Sequence, residues 1–260
     1  MKRIAYLLAI VLATTVATGC KLRIVSPENG EVVSLSGSRD CETGEICEID
    51  VVDLFFNDTF TAVPATGFIF NGWKKADGHF CGGSNKPCVL TTRIFDGFPV
   101  LESFLATDSV FSLSPEFFEP YAELPGEWQG RWVNETFNTE GNTNLSISPG
   151  VNNGLRIEFD VDGNAFGDSD PPPTSITLRL DGRTLNISSI EFNDYTLIFR
   201  TILNQDGTLE LEIPSLPDPT LDTVEVNGRV TPNLIKLDYK VNFTLRTAAV
   251  GTVVIEKIED

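Results

Sequence analysis

The chain has 260 residues, 41% of them hydrophobic, and its 18 phenylalanines supply ample material for a buried core. Thirty-seven acidic against 19 basic residues give a formal charge of −18, which argues against nucleic acid and anionic lipid surfaces as partners, since both need clustered Lys and Arg. A solvated acidic surface is the direct reading of that charge, with divalent cations or a basic partner as the functional alternative.

In chain order, the first segment is Met1-Lys2-Arg3, an apolar run from Ile4 to Val16, and then Ala17-Thr18-Gly19-Cys20. A basic start, an apolar stretch too short to span a bilayer and a small-residue junction describe a secretory signal over residues 1–19. The cysteine directly after Thr18-Gly19 resembles the lipobox of bacterial lipoproteins. That resemblance implies that Cys20 becomes a lipidated N-terminus, held firmly by several acyl chains where a single chain binds only marginally. Lys21 stands where an aspartate would signal retention in the inner membrane, so the resemblance implies the outer membrane. Losing Lys2 and Arg3 from the 19 basic residues leaves the mature chain near −20. No later apolar stretch is long enough to cross a membrane as a helix.

Residues 20–114 read as a small cysteine-stapled β module. Cys41, Cys47, Cys81 and Cys88 fall as two short pairs in a compartment where disulfides persist. Four cysteines allow three connectivities, and local pairing would close two short loops. The segment Thr61-Ala62-Val63-Pro64-Ala65, the run Gly67-Phe68-Ile69-Phe70 and the pair Gly72-Trp73 resemble the divergent bacterial repeat related to the internalin B-repeat. That family implies a β-grasp-like module used for display or interaction, with Val100-Leu101-Glu102-Ser103-Phe104 as its closing strand. Phe68 and Phe70 alternate onto one strand face that Trp73 can cover, and Pro64 and Gly67 bracket the turn before it. His79, two residues before Cys81, invites a zinc proposal, but the spacing is not that of a zinc site and disulfides compete for the thiols.

Proline and glycine between Ser114 and Gly126 mark residues 115–125 as a linker. Beyond it, β-branched runs recur between turn signals, at Leu155–Val161, Ser175–Leu180, Arg183–Ile190, Tyr195–Leu203, Thr208–Ile213, Thr223–Val230, Leu234–Leu245 and Gly251–Lys257. Asn153-Gly154, Asp181-Gly182, Asp206-Gly207 and Asn227-Gly228 are hairpin dipeptides. No helical period of useful length stands out. Residues 126–260 are therefore expected to form an antiparallel meander, closed as an up-and-down barrel or packed as a sandwich. The fold class is mostly β.

The opening Gly126-Glu127-Trp128 resembles the Gly-x-Trp start of the calycin, or lipocalin-like, barrels. In that group a first-strand tryptophan closes one barrel end against a late basic side chain, which implies Arg246 or Lys257 here. It also implies an interior able to hold one small ligand, unless the barrel's own side chains fill it. Asp160, Asp162 and Asn164 are weak calcium candidates, because Ala165 and Pro171 stand where an EF-hand needs glycine and glutamate.

A single histidine outside the C-terminal region, with no nucleophile elbow, phosphate loop or zinc helix, leaves no catalytic signature. The expectation is a non-enzymatic lipoprotein of the cell envelope, an interaction or structural module without cofactor. Its partners would be the membrane through the anchor and an envelope protein, glycan or lipophilic small molecule, with no nucleic acid. The alternative is a carrier that holds a lipophile in its barrel. A carboxylate-pair hydrolase is a third, lesser reading.

Overall fold

The computed structural model describes residues 19–150, 154–165, 168–169, 172–181, 184–186, 190–192, 195–197, 200–213 and 220–259. Its first elements are β1 (Cys20–Val25), β2 (Gly30–Ser34), β3 (Ile46–Val51), β4 (Asn57–Pro64), β5 (Ile69–Trp73), β6 (Cys88–Thr91), α1 (Pro99–Phe104), β7 (Val110–Leu113) and β8 (Pro115–Phe118). They form three small sheets: β3-β1-β7, β2-β4-β6 and the ribbon β5-β8. Period-two alternation sorts their side chains, so β1 buries Cys20, Leu22 and Ile24 and leaves Lys21 and Arg23 half-buried. The core beneath gathers Leu22, Ile24, Val32, Phe60, Phe70, Trp73, Cys88 and Leu113. Phe70 and Trp73 meet edge to face at 5.4 Å.

Two disulfides, Cys41–Cys47 and Cys81–Cys88, close loops in this module. Each contributes about 2 kcal/mol by the chain-entropy model for loops this short. A second local stabiliser is Asp58, whose buried carboxylate takes Arg39 Nη1 at 2.7 Å and Ser36 Oγ at 2.6 Å. Burial pushes its pKa up, but hydrogen bonds from Ser36, Arg39 and the backbone N–H of Thr59 outweigh that and hold it below the usual carboxylate range.

Two expectations for this region fail. Val100–Phe104 is not a closing strand but part of α1. Pro99 opens that helix with its φ already set, and Glu102 Oε1 accepts the N–H of Gly97 at 2.9 Å just ahead of it. The strand that completes the sheet is β7, parallel to β1. Residues 115–125 are likewise no linker. Pro115–Phe118 pairs with β5, and a short α2 (Pro120–Glu123) follows directly. Proline is tolerated at the start of β8 because it opens a strand at the edge of a two-stranded ribbon.

The remaining elements are β9 (Gly126–Asn134), β10 (Thr139–Pro149), β11 (Gly154–Val161), the two-residue β12 (Asn164–Ala165) and β13 (Asp168–Ser169), and β14 (Thr174–Asp181). Short pieces β15 (Thr184–Asn186), β16 (Ile190–Phe192), β17 (Tyr195–Leu197) and β18 (Arg200–Leu203) follow, then β19 (Thr208–Ile213), β20 (Leu221–Val230), β21 (Leu234–Phe243) and β22 (Ala249–Lys257). Strands β14-β11-β10-β9-β22-β21-β20-β19 lie side by side in one antiparallel sheet that curls into a half-barrel. The pairing of β22 with β9 brings the last strand beside the first of the meander.

Asp206-Gly207 is a turn as expected, with Gly207 at φ +78° and Asp206 Oδ1 accepting the N–H of Thr208. Asn227-Gly228 is not. Both residues sit inside β20, opposite Asp238 and Leu237, and the reversal comes after Val230. At Gly228 a Cβ would fall 2.1 Å from the carbonyl of Lys236, so glycine serves close approach of strands here, not a turn. The runs Arg183–Ile190 and Tyr195–Leu203 are each represented by short strands, with residues 187–189 and 198–199 outside the described residues. Thr139–Pro149, which its polar composition hides, is one of the longer strands, held in register by β9 on one side and β11 on the other.

The two regions meet at one end of the half-barrel. Successive β5 residues face opposite ways, so Phe70 enters the module core while Ile69 joins Phe118, Leu124, Trp128, Leu203, Val230 and Ile235 in the core of the half-barrel. Phe70 N–H donates to the carbonyl of Gln205 at 2.6 Å, and Arg229 Nη2 donates to that of Asn71. Burial pulls the pKa of Arg229 down, and the charge of Asp206 offsets only part of that.

Candidate functional site

The plugged end is built around Trp128, 1% exposed on β9. Its register partner across the ladder is Lys257 on β22, whose Nζ lies 5.8 Å from the indole centroid and donates to the carbonyl of Glu123 at 2.7 Å. Trp128 Nε1 donates to the carbonyl of Leu124 at 3.0 Å. One lysine and one indole thus satisfy two carbonyls at the end of α2, where helix carbonyls lack intrahelical partners. Gly126 begins the strand at φ +141°, and a Cβ there would fall 2.8 Å from Lys257 Cε. The choice between Arg246 and Lys257 is therefore decided for Lys257. Arg246 lies after β21, at the other end of the strand pair, with its guanidinium 3.8 Å from the ring centroid of Phe243 and 5.7 Å from that of Phe137.

Alternate residues of the long strands line the concave face: Trp128 and Trp132 on β9, Leu145 and Ile147 on β10, Ile157 and Phe159 on β11, Ile235 and Leu237 on β21, Val253 and Ile255 on β22. Trp128, Ile147, Ile235 and Ile255 are buried. Ile157, Phe159, Leu237 and Val253 share the face yet stay only half-buried. An apolar face left partly uncovered inside a curled sheet separates a ligand-holding barrel from one filled by its own side chains.

Farther along, aromatic and polar groups follow, and at the far end Val241, Phe243 and Ala249 pack as a second buried cluster. The indole of Trp132 lies against Gly141, where a Cβ would come 2.6 Å from Nε1, and that nitrogen donates to the carbonyl of Asp162 at 2.9 Å. Tyr239 lies over Gly251 and donates to the carbonyl of Val133 at 3.1 Å. Burial, reinforced by the charge of Glu135, pushes the Tyr239 phenol up to about 12. Asn134 is fully buried. Its Oδ1 accepts the N–H of Phe137 at 3.0 Å, while its Nδ2 has no protein acceptor. Stranding a buried donor costs about 1–3 kcal/mol.

The other residues singled out in the sequence lie elsewhere. Cys20 opens β1 as a buried free thiol, its pKa raised by burial, and its N–H donates to the carbonyl of Leu105 at 3.1 Å. His79 contacts the carbonyl of Asp77 through Nδ1, and nearby Cys81 is committed to a disulfide. Of the calcium candidates, Asp160 and Asp162 give their carbonyls to Thr143 and Trp132, and Asn164 begins β12. Among the described residues no three His, Cys, Asp or Glu side chains converge as a metal group. A separate shallow cleft of about 380 Å³ follows the seam between module and half-barrel, lined by Pro27, Asn29, Asn71, Phe117 and Pro232. It belongs to the junction, not to the concave face. Nothing in the sequence marked Asn134 or Tyr239, because only the ladder brings them to one face.

No family model and no curated protein matches the chain. Solved structures similar over part of it include a DUF3598-family protein from Nostoc punctiforme, at 12% identity and TM-score 0.39, with 53% of this chain and 49% of that one covered. The match thus takes in about half of that protein's length. Rv2717c from M. tuberculosis matches at 13% identity and TM-score 0.40, covering 53% of this chain and 94% of its own. The S-type phycobiliprotein lyase CPES from Guillardia theta matches at 12% identity and TM-score 0.36, covering 54% of this chain and 90% of its own. Likeness of this order says nothing about ligand or activity. The half-barrel stands on its own strand ladder and on its Trp128–Lys257 end.

Proposed function

We propose that the chain is a non-enzymatic, lipid-anchored protein of the bacterial outer membrane whose half-barrel holds an apolar small molecule against its concave face. The half-exposed, inward-facing Ile157, Phe159, Leu237 and Val253 carry this reading, because apolar area left inside a curled sheet gains most from a ligand that covers it. Asn134 Nδ2, unpaired on the same face, suits an acceptor at the polar end of that molecule. Ile69 and Phe118 plug the Trp128 end. The N-terminal module serves as the spacer between barrel and anchor. Acylation of the Cys20 nitrogen leaves one N–H for the Leu105 carbonyl, whereas attaching further chains through the thiol requires that side chain, buried at the start of β1, to turn outward.

Native mass spectrometry of the mature chain, purified under oxidising conditions, tests the reading. A non-covalent mass lost on denaturation is expected. It should fall away when Leu237→Trp and Val253→Trp fill the face while unfolding stays cooperative. A wild-type chain that carries no such mass and takes up no lipophile overturns it.

A further inference from the structure

The module closes its core tightly but leaves a cluster of large apolar side chains outside it. Phe55 and Val100 are each 81% exposed, and Val52, Ile94, Phe98 and Phe104 are exposed as well. They sit on two segments that the backbone ties together. Thr92, just before Arg93–Phe95, donates its N–H to the carbonyl of Phe56 at 3.0 Å and its hydroxyl to that of Asp53 at 2.8 Å. Both segments also flank the start of the mature chain. Cys20 is the register partner of Val51, the residue before Val52, and its N–H reaches the carbonyl of Leu105 directly after α1. Two acidic side chains among these residues bond to nearby backbone, Asp53 Oδ1 to the N–H of Phe55 at 2.8 Å and Glu102 Oε1 to that of Gly97 at 2.9 Å, and Asp96 is exposed between Ile94 and Phe98.

Exposed apolar clusters of this kind mark surfaces that another phase or partner covers. The structure assigns this one to the lipid bilayer: we propose that Val52, Phe55, Ile94, Phe98, Val100 and Phe104 form a rim that seats in the headgroup–acyl boundary beside Cys20. The occupant follows from continuity with the anchor, since acyl chains on Cys20 start next to Val52 and the end of α1. The proposal rests on the anchoring reading for its location. The contact is apolar, with Arg93 its one cation among these segments, so it needs no anionic lipid and resists salt. It would also fix the half-barrel's orientation, where a flexible acyl tether alone would leave it free.

The test places an environment-sensitive fluorophore on Val100→Cys in the mature chain and, separately, on Leu245→Cys. Leu245 is 97% exposed and follows β21, at the half-barrel end away from the plug. With phosphatidylcholine vesicles, the label at 100 should brighten several-fold and resist aqueous iodide at both low and high salt. The label at 245 should do neither. Adding Phe55→Glu and Phe104→Glu should abolish the brightening at 100. Equal behaviour of the two labels overturns the rim, and so does brightening at 100 that tracks protein concentration without vesicles, which would mean a second copy covers it. The mass of the N-terminal peptide judges the anchor independently. Acylated Cys20 with no brightening at 100 keeps the anchor and removes the rim, whereas brightening with an unmodified Cys20 keeps the rim and removes the anchor.

Discussion

The module and the half-barrel solve the same problem with opposite means. The module has three small sheets of short strands, so it closes its core with two disulfides, an aromatic pair and the Arg39–Asp58 ion pair, and apolar side chains remain outside. The half-barrel has long strands and no cysteine. Its ladder supplies the stability, and apolar side chains remain uncovered inside. Short strands cannot enclose a cavity, so surplus apolar area ends up on the surface. A long curled sheet hides its surplus and can offer it to a ligand.

Changes that act on one region and spare the other put this contrast to the test. The largest effect is expected from Trp128→Ala, which empties the plugged end where module and half-barrel share a core. Chemical denaturation should show a loss of about 3–5 kcal/mol, and a single shared transition should split in two. If both regions still unfolded together at the same midpoint, the shared core would not be what couples them.

Asp58→Ala should cost the module roughly 3 kcal/mol, because it strands the partly buried Arg39 and the Ser36 hydroxyl. The same residue sets an acid limit. Its pKa is lowered in the folded chain, so its contribution is present above the ordinary aspartate value of about 4 and is lost as pH falls below it. Acid titration followed by hydrogen exchange should loosen amides around Ser34–Arg39 and Asp58. Asp58→Asn should flatten that dependence while leaving the half-barrel's profile unchanged.

Cys81→Ala with Cys88→Ala should cost about 2 kcal/mol in the module and leave half-barrel protection intact. Smallest is the pair that separates the two cations weighed for the barrel end. Lys257→Met should lose about 1 kcal/mol, since it gives up the Trp128 face and the Glu123 carbonyl. Arg246→Met, which gives up only the exposed contact with Phe243, should lose about 0.5 kcal/mol. Equal effects would contradict the assignment of Lys257 to the closed end.

How much of this was legible beforehand depends on the range of the interaction involved. The two cysteine pairs, the Asp206-Gly207 turn and the Gly126-Glu127-Trp128 start are local signals, and each sits in the structure as its residues suggest. The half-exposed face was implied only as one of two possible interiors, and Asn134 and Tyr239 were not visible at all. Neither carries a motif, and each acquires its role from partners more than a hundred residues away or from strand neighbours paired across the ladder.

By itself, then, the sequence determined the mostly-β class, the acidic surface, the cysteine staples and most strand positions, because these follow from composition, period-two alternation and turn chemistry. Tertiary structure alone decided the rest. It made Pro99–Phe104 a helix by giving its closing-strand place to Val110–Leu113, and it put Asn227-Gly228 inside a strand by moving the reversal past Val230. It turned the 115–125 segment into a plug by pairing Pro115–Phe118 with β5, and it chose Lys257 over Arg246 by register. Each of these depends on which distant strand lies alongside, and no local pattern of residues records that.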